Sequence, residues 1–193
     1  MIEKTNKPTG YLEGSLLVAT PLLKGSCFEK SVIYVCAHND TGAMGILVNH
    51  TLNNIKCGDI LSQIGIKPSE IDCGNAPVYF GGPVESAKGF ILHTSDYFAN
   101  GTQIMHSNIS LTATVDILQD IATGKGPHKQ ILALGCAGWA PGQIEKEMKE
   151  NSWITIPANE SLVFDLHNED KWQQANDSLG INFINYSTVI GNA

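Results

Sequence analysis

The chain has 193 residues, of which 42% are apolar and 16% charged, a composition typical of a globular domain and unlike that of a disordered or fibrous protein. Its 12 basic and 19 acidic residues give a formal net charge of −7, which disfavours non-specific binding to nucleic acid because such binding needs a positive surface. No apolar run approaches the roughly 20 residues of a membrane-spanning helix, and the polar start lacks the apolar core of a signal peptide. We therefore expect a cytoplasmic protein without a membrane segment.

The cysteines indicate no metal centre. The chain has five, an odd number, and none of them has zinc-finger or C-x-x-C spacing. Free, mostly buried thiols are the expected state in a reducing compartment. The sequence therefore predicts neither a metal nor a cofactor.

The first half of the chain predicts mainly strands. Buried strands are expected over residues 15–21 and 31–38, the second rich in β-branched and aromatic side chains. Turn residues 39–42 lead into a third strand over 43–49, which predicts a β-hairpin with a loop of about four residues. A short helix is expected over 58–65.

The second half mixes strands and helices. The pattern predicts, in chain order, strands over 77–80 and 89–94, a helix over 111–121 ended by Gly124, a strand over 130–134, a helix over 141–151, short strands over 153–156 and 162–164, and a helix over 170–179. Strands outnumber helices and mostly adjoin one another, so the fold class is α+β. A flexible segment 1–10 followed by a single domain 11–193 is the expected organisation.

Cys36 and His38 form the first candidate constellation. Two positions apart on a strand, both should project from one face, and a histidine can activate a thiol for nucleophilic catalysis. Their backbones would however lie about 7 Å apart, which is long for a thiol–imidazole hydrogen bond. A buried structural thiol beside a histidine is the favoured interpretation.

Two glycine-rich turns and a second histidine are the other candidates. The turn over 135–142 could present backbone N–H groups to an anion, but a tight turn that packs Trp139 on the sheet is favoured. Residues Gly81, Gly82 and Pro83 could let a ligand approach the backbone or could form a sharp corner, and the sequence favours neither. His93 is expected to be structural rather than a catalytic base.

Six segments in this order resemble the bacterial YqgE/AlgH family: GSLLVATP at 14–21, Phe28 followed by SVIYVCAHN at 31–39, GAMGILVN at 42–49, GGPV at 81–84, GFILH at 89–93 and AGWAPGQIE at 137–145. The match runs from about residue 10 to residue 179. The resemblance implies a single-domain α+β fold in which a bent, bifurcated, mainly antiparallel sheet forms a pseudo-barrel with flanking helices. It also implies a bacterial cytosolic protein of unestablished activity, carrying the label of a transcriptional regulator.

The chain departs from the family at several positions. The family commonly has Glu where Ala37 stands and Arg-Pro where His50 and Thr51 stand. It usually has Tyr or a small residue at Cys136 and Gly at Ala140. Loss of that Glu and that Arg removes two charged groups that could have served catalysis or anion binding.

The leading hypothesis is a non-catalytic regulatory or interaction module, with transcriptional effects that are indirect. Its partner would be a protein or a small molecule, and direct DNA reading is not expected because no helix-turn-helix carries a basic recognition helix. The alternative is a thiol- or histidine-dependent enzyme, or a small-ligand binder, that uses Cys36, His38 or His93. The oligomeric state is left open. The candidate surface comprises Cys36, His38, Asn39, Gly42, Asn49, Gly81, Gly82, Pro83, His93, Gly138, Trp139, Gln143 and Glu145.

Overall fold

The computed structural model describes residues 11–67 and 73–180, so the expectation for segment 1–10 lies outside the described residues. The strands in this part are β1 Ser15–Ala19, β2 Val32–Asn39, β3 Gly42–Leu47, β4 Thr51–Lys56, β5 Pro77–Phe80, β6 Val84–Thr94, β7 Gln103–Ile104, β8 Ile109–Thr112, β9 Gln130–Trp139 and β10 Trp153–Pro157. The α-helices are α1 Cys57–Gln63, α2 Asp116–Ala122, α3 Gln143–Lys149 and α4 Asn168–Asp177. A 3-10 turn at Pro21–Leu23 and a π-helical turn at Ser161–Asp165 complete them.

The sheet branches at β9. The main path runs β10-β1-β2-β3-β9-β6-β8-β7, and each pair along it is antiparallel. Along one side of β9, Leu132 to Leu134 pair in parallel with β5, whereas Ala137 to Trp139 pair with β3. Strand β4 then pairs with β5. This curled, mainly antiparallel half-barrel with flanking helices confirms the expected α+β fold class.

The two faces of the sheet carry separate cores. The first core cluster contains Tyr34, Cys36, Leu92 and Cys136 and receives α4 through Ala175. The second lies on the opposite face of β1, β2 and β3 and receives α3; among its members are Ile33, Val35, Ala43, Ala137, Trp139 and Ile144. A third cluster joins α1 and α2 to β5 and β6. Neighbouring positions on β2 and β9 therefore face different cores.

Several elements differ from the expected ones. The helix expected over 111–121 begins only at Asp116, because residues 109–112 form β8, whose four residues are all buried. The strand expected over 162–164 is the π-helical turn, and the strand expected over 130–134 continues to Trp139. Strand β4 was not predicted because its mostly exposed residues carry no apolar alternation. The predicted hairpin is confirmed, although the pairing of Asn39 with Gly42 shortens its loop to two residues.

Among the described residues, the longest α-helix has ten residues, and none has the length and apolar character to cross a membrane.

Candidate functional site

A β-bulge separates Cys36 from His38. The register of β2 against β3 shifts between Val35, opposite Gly45, and Ala37, opposite Met44. The extra residue turns His38 to the face of its partner Ala43, whereas Cys36 belongs to the first core cluster. The expectation that the thiol and the imidazole share a face is therefore wrong, because strict alternation fails where two residues oppose one.

The Cys36 thiol is buried. The residue is 3% exposed, and its Sγ lies 3.7 Å from the Tyr34 carbonyl oxygen. Burial is the largest cause that raises the pKa of this thiol, followed by the neighbouring Cys136. A raised pKa keeps the sulfur protonated, which removes the thiolate that nucleophilic catalysis needs.

Alkylation rates test this assignment. We expect iodoacetamide at neutral pH to modify the exposed Cys27 quickly and Cys36 only after the protein unfolds. Peptide mass spectrometry after timed labelling, with and without urea, measures both rates in one sample. Native-state labelling of Cys36 as fast as that of Cys27 would contradict the structural role.

His38 connects the start of the described chain to α3. The backbone N–H of Leu12 donates to Nδ1 across 3.0 Å, so the ring proton lies on Nε2, which donates to Glu145 Oε1 across 2.8 Å. The His38 side chain is 2% exposed and that of Glu145 is 46% exposed. The pKa of Glu145 lies below its ordinary value, first because its own backbone N–H donates to the carboxylate and also because His38 does. Both ring nitrogens of His38 are thus engaged in holding the structure together.

The tip of the β2–β3 hairpin lies beside this pair. The Tyr11 ring packs edge-on against His38, with centroids 5.1 Å apart, and its hydroxyl donates to Asp40. The Asn39 side-chain oxygen accepts from the Thr41 backbone N–H at 2.8 Å, which orders the two-residue turn. The tip is therefore joined to the His38–Glu145 pair through the Tyr11 contacts.

Trp139 is held by a carboxylate that the sequence reasoning missed. Glu147 Oε2 accepts the indole N–H of Trp139 at 2.9 Å and that of Trp153 at 2.8 Å, while Glu147 Oε1 accepts from the Gln143 amide at 2.8 Å. The amide oxygen of Gln143 in turn accepts from the Ala140 backbone N–H. The i,i+4 spacing of Gln143 and Glu147 was the available sequence signal. Trp139 thus packs in the second core cluster, and its indole does not face solvent.

Three loops of the candidate surface carry glycines, at residues 39–42, 81–84 and 138–143, and the first and third of them meet. A Cβ at Gly42 would overlap the Trp139 carbonyl oxygen, so the hairpin tip and the end of β9 are in contact. The GGPV segment crosses β9 to its other edge, where Val84 pairs with Cys136 and lies next to Gly138. Gly138 consequently shares the face of Cys136 rather than that of Trp139. Gly81 and Gly82 are buried and Pro83 is exposed.

His93 is fully enclosed in a polar network. Its Nδ1–H donates to the Thr94 carbonyl at 2.9 Å, and its Nε2 accepts from the Thr112 hydroxyl at 2.9 Å. Thr112 accepts in turn from Thr102 at 2.8 Å. Burial lowers the pKa of His93, which favours the neutral ring that this network requires. The ring is 0% exposed and far in the fold from the hairpin tip, since its strand neighbours are β8 and the start of β9.

Asn49 lies at the opposite end of β3 from the tip. Its side-chain oxygen accepts from the Val32 backbone N–H and its amide donates to the Lys30 carbonyl, both at 2.8 Å. These bonds close the end of the β2–β3 pair. Asn49 also lines a cleft against the start of α4.

Lys171 is a buried charge that the sequence reasoning also missed. Its Nζ donates to the carbonyl oxygens of Val48 and Val163, both at 2.7 Å, and lies 5.6 Å from the centre of the Tyr79 ring. The residue is 1% exposed, and burial lowers its pKa to about 8. Lys171 lies four residues before the buried Ala175, so both are on the same face of α4. This spacing was the sequence signal that could have predicted its burial.

Within residues 11–67 and 73–180, no group of three or more His, Cys, Asp or Glu side chains is arranged to hold a metal ion.

Comparison with known proteins gives the family. The sequence profile of the AlgH-like family matches residues 16–184. The chain belongs to the AlgH-like family. A UPF0301 protein of Rhodospirillum rubrum is 49% identical to it over 91% of both chains, and one of Afipia carboxidovorans is 43% identical over 96% of this chain and 91% of that protein.

Solved structures of AlgH-like shape support the fold. The solution structure of the AlgH protein from Pseudomonas aeruginosa has a TM-score of 0.78 and 34% identity, covering 99% of this chain and 100% of that one. The crystal structure of protein DIP2367 from Corynebacterium diphtheriae has a TM-score of 0.72 at 18% identity, with 92% of each chain covered, and shows the fold alone. This AlgH-like chain therefore shares its architecture over nearly its whole length.

Proposed function

We propose that this AlgH-like protein is a non-catalytic interaction module of the bacterial cytosol, which acts on a regulatory partner through the end of the half-barrel where the β2–β3 hairpin meets α3. The proposal rests on the hydrogen bonds and the placement of the candidate catalytic residues. The bulge places Cys36 and His38 on opposite faces, and His38 and His93 each use both ring nitrogens in structural hydrogen bonds.

The proposed contact is the tip surface, defined as Asn39, Asp40, Thr41, Ala140 and Gln143. All five residues are exposed. The elements beneath them are cross-linked, because His38–Glu145 and Trp139–Glu147 join the hairpin and β9 to α3. A preorganised polar surface of this kind binds without a large ordering cost.

The charge around the tip surface favours a protein partner over DNA. Asp40 is the charged residue among the five, and the whole chain carries a formal charge of −7. A surface of this sign repels phosphate and complements basic or hydrogen-bond-donating side chains. An influence on transcription would accordingly pass through a protein.

Paired arginine substitutions test the tip surface. Thr41→Arg with Ala140→Arg adds bulk and charge to two exposed tip positions, and Thr123→Arg with Ala113→Arg does the same at two exposed positions around α2. We expect the tip variant to capture at least about tenfold less partner than wild type, because the added side chains block the contact. The control variant should capture as much partner as wild type.

The measurement is cross-linked affinity capture of the tagged full chain from lysate of its own host, with quantitative proteomics and native mass spectrometry. Both variants must first show the wild-type thermal unfolding midpoint. Equal capture by wild type, tip variant and control variant would contradict the proposal. A bound mass of a few hundred daltons, together with rapid alkylation of Cys36 in the native protein, would favour the enzyme instead.

A further inference from the structure

A polar cleft of about 830 Å³ opens at the other end of β3, away from the tip surface. One wall, called the strand wall, is formed by Lys30 and residues 49–51. The other, called the helix wall, is formed by residues from 167–173 at the start of α4. Pockets of several hundred Å³ hold small molecules, and this volume lies within that range.

The strand wall carries positive or neutral groups. Lys30 supplies an exposed ammonium group, and Asn49 and Thr51 are neutral. His50 is half-buried; this burial lowers its pKa, and its ring is hydrogen-bonded to the backbone of Lys30 and Glu29. Four lining residues thus contain a cation and several hydrogen-bonding groups but no carboxylate.

The helix wall carries the opposite charge. Glu169 and Asp170 lie in the first turn of α4, and both are exposed. His167 and Asn168 precede them, and the Asn168 side-chain oxygen is fixed by the Tyr79 hydroxyl at 3.2 Å. A simple anion in the cleft would be repelled by the carboxylates of Glu169 and Asp170, whereas a simple cation would be repelled by Lys30.

Trp172 forms a flat apolar part of the same cleft. Its indole N–H donates to the Ala19 carbonyl at 2.8 Å, which fixes the ring, and Lys30 Nζ lies 5.8 Å from the ring centre. The ring is therefore held in place in the lining of the cleft, beside the Lys30 ammonium group.

We propose that this cleft binds a small zwitterionic metabolite of amino-acid or dipeptide type. Its carboxylate faces Lys30, its ammonium group faces Glu169 and Asp170, and its apolar part lies against Trp172. A ligand that carries both charges complements both walls at once, which neither a plain anion nor a plain cation does. The site is separate from the tip surface and does not depend on the function proposed for that surface.

The test uses the dipeptide alanyl-glutamine as the probe for the full chain. N-acetyl-alanyl-glutamine lacks the ammonium group, and alanyl-glutamine amide lacks the carboxylate. In a ¹H–¹⁵N NMR titration we expect the dipeptide to shift resonances of Asn49, His50, Asn168 and the Trp172 indole. Each charge-deleted probe should bind at least about tenfold more weakly.

Two variants with matched controls locate the charges. Lys30→Gln should weaken binding of the dipeptide about tenfold, whereas Lys125→Gln, at an exposed lysine after α2, should not change it. Asp170→Asn tests the helix wall independently, with Asp116→Asn, in the first turn of α2, as its control. Their ¹H–¹⁵N spectra report whether each variant is folded.

Three outcomes would overturn the proposal. One is the absence of localised shifts at millimolar dipeptide. The second is equal binding of the acetylated probe, which would indicate an anion site. The third is equal affinity of each cleft variant and its matched control.

Discussion

Between about pH 8 and pH 10.5, the free energy of unfolding of the wild-type protein is expected to rise by about 3 kcal/mol relative to that of Lys171→Met. The cause is the burial of the Lys171 ammonium group, which lowers its pKa from 10.5 to about 8 in the folded protein. At a pH between these values the unfolded chain binds more protons than the folded one, so stability increases with pH. Below pH 8 the folded protein carries the full cost of the buried charge.

The contacts of Lys171 explain why the cost is not cancelled. Two carbonyl oxygens, of Val48 and Val163, solvate the ammonium group at 2.7 Å, and the Tyr79 ring lies on a further side. Asp165 raises the pKa through its charge, but this effect is smaller than that of burial. Carbonyl dipoles replace only part of the hydration that a charged group loses.

Urea unfolding at pH 7.5, 8.5, 9.5 and 10.5 checks this prediction. Tyrosines and cysteines titrate in the same range, so the readout is the difference between the wild-type and Lys171→Met curves. Lys146→Met, at an exposed lysine of α3 with a side chain that is 74% exposed, is the control and should run parallel to wild type. A Lys171→Met curve parallel to wild type would show that this lysine is not desolvated.

The sequence could predict the elements whose patterns are local. The β2–β3 hairpin has turn residues between two apolar runs, and both strands form as expected. Strand β8 could not be distinguished from a helix by its sequence. Val115, Leu118 and Ile121 recur at three-residue spacing, and this helical pattern extended the predicted helix back to Leu111. The pairing of β8 with β6 overrides this pattern, because it buries all four residues of the strand.

The candidate site was predictable in its members but not in its geometry. His38 and Glu145 both stood in motifs of the family resemblance, yet their contact joins positions 107 residues apart and depends on how β9 returns beside β3. The bulge at Cys36 and Ala37 has no local signature, and it decides which face His38 occupies. Asn49 belonged to the same predicted surface but lies just beyond the end of β3 that is far from the tip. Long-range pairing, rather than residue type, set these relations.

Gly82→Ala is expected to lower the free energy of unfolding by at least about 3 kcal/mol. Gly82 has φ of +147°, and a Cβ there would overlap the carbonyl group of Cys136 and the backbone nitrogen of Ala137 on β9. Its neighbour Gly81 accepts from the Leu47 N–H at 3.0 Å and donates to the Leu134 carbonyl at 2.8 Å. These bonds join β3 and β9 where the sheet branches, so the overlap would separate strands that support both the tip surface and the first core cluster.

Gly142→Ala separates backbone strain from steric overlap. Gly142 has φ of +74°, but no atom lies within 4 Å of the Cβ it would receive, so only the cost of the left-handed conformation, about 1 kcal/mol, is expected. Urea unfolding of both variants gives the difference directly. If Gly82→Ala cost no more than Gly142→Ala, the close approach of the GGPV segment to β9 would be wrong. A large difference would show that Gly81 and Gly82 are needed where the sheet branches. Of Gly81, Gly82 and Pro83, the exposed Pro83 would then be the residue available to a partner.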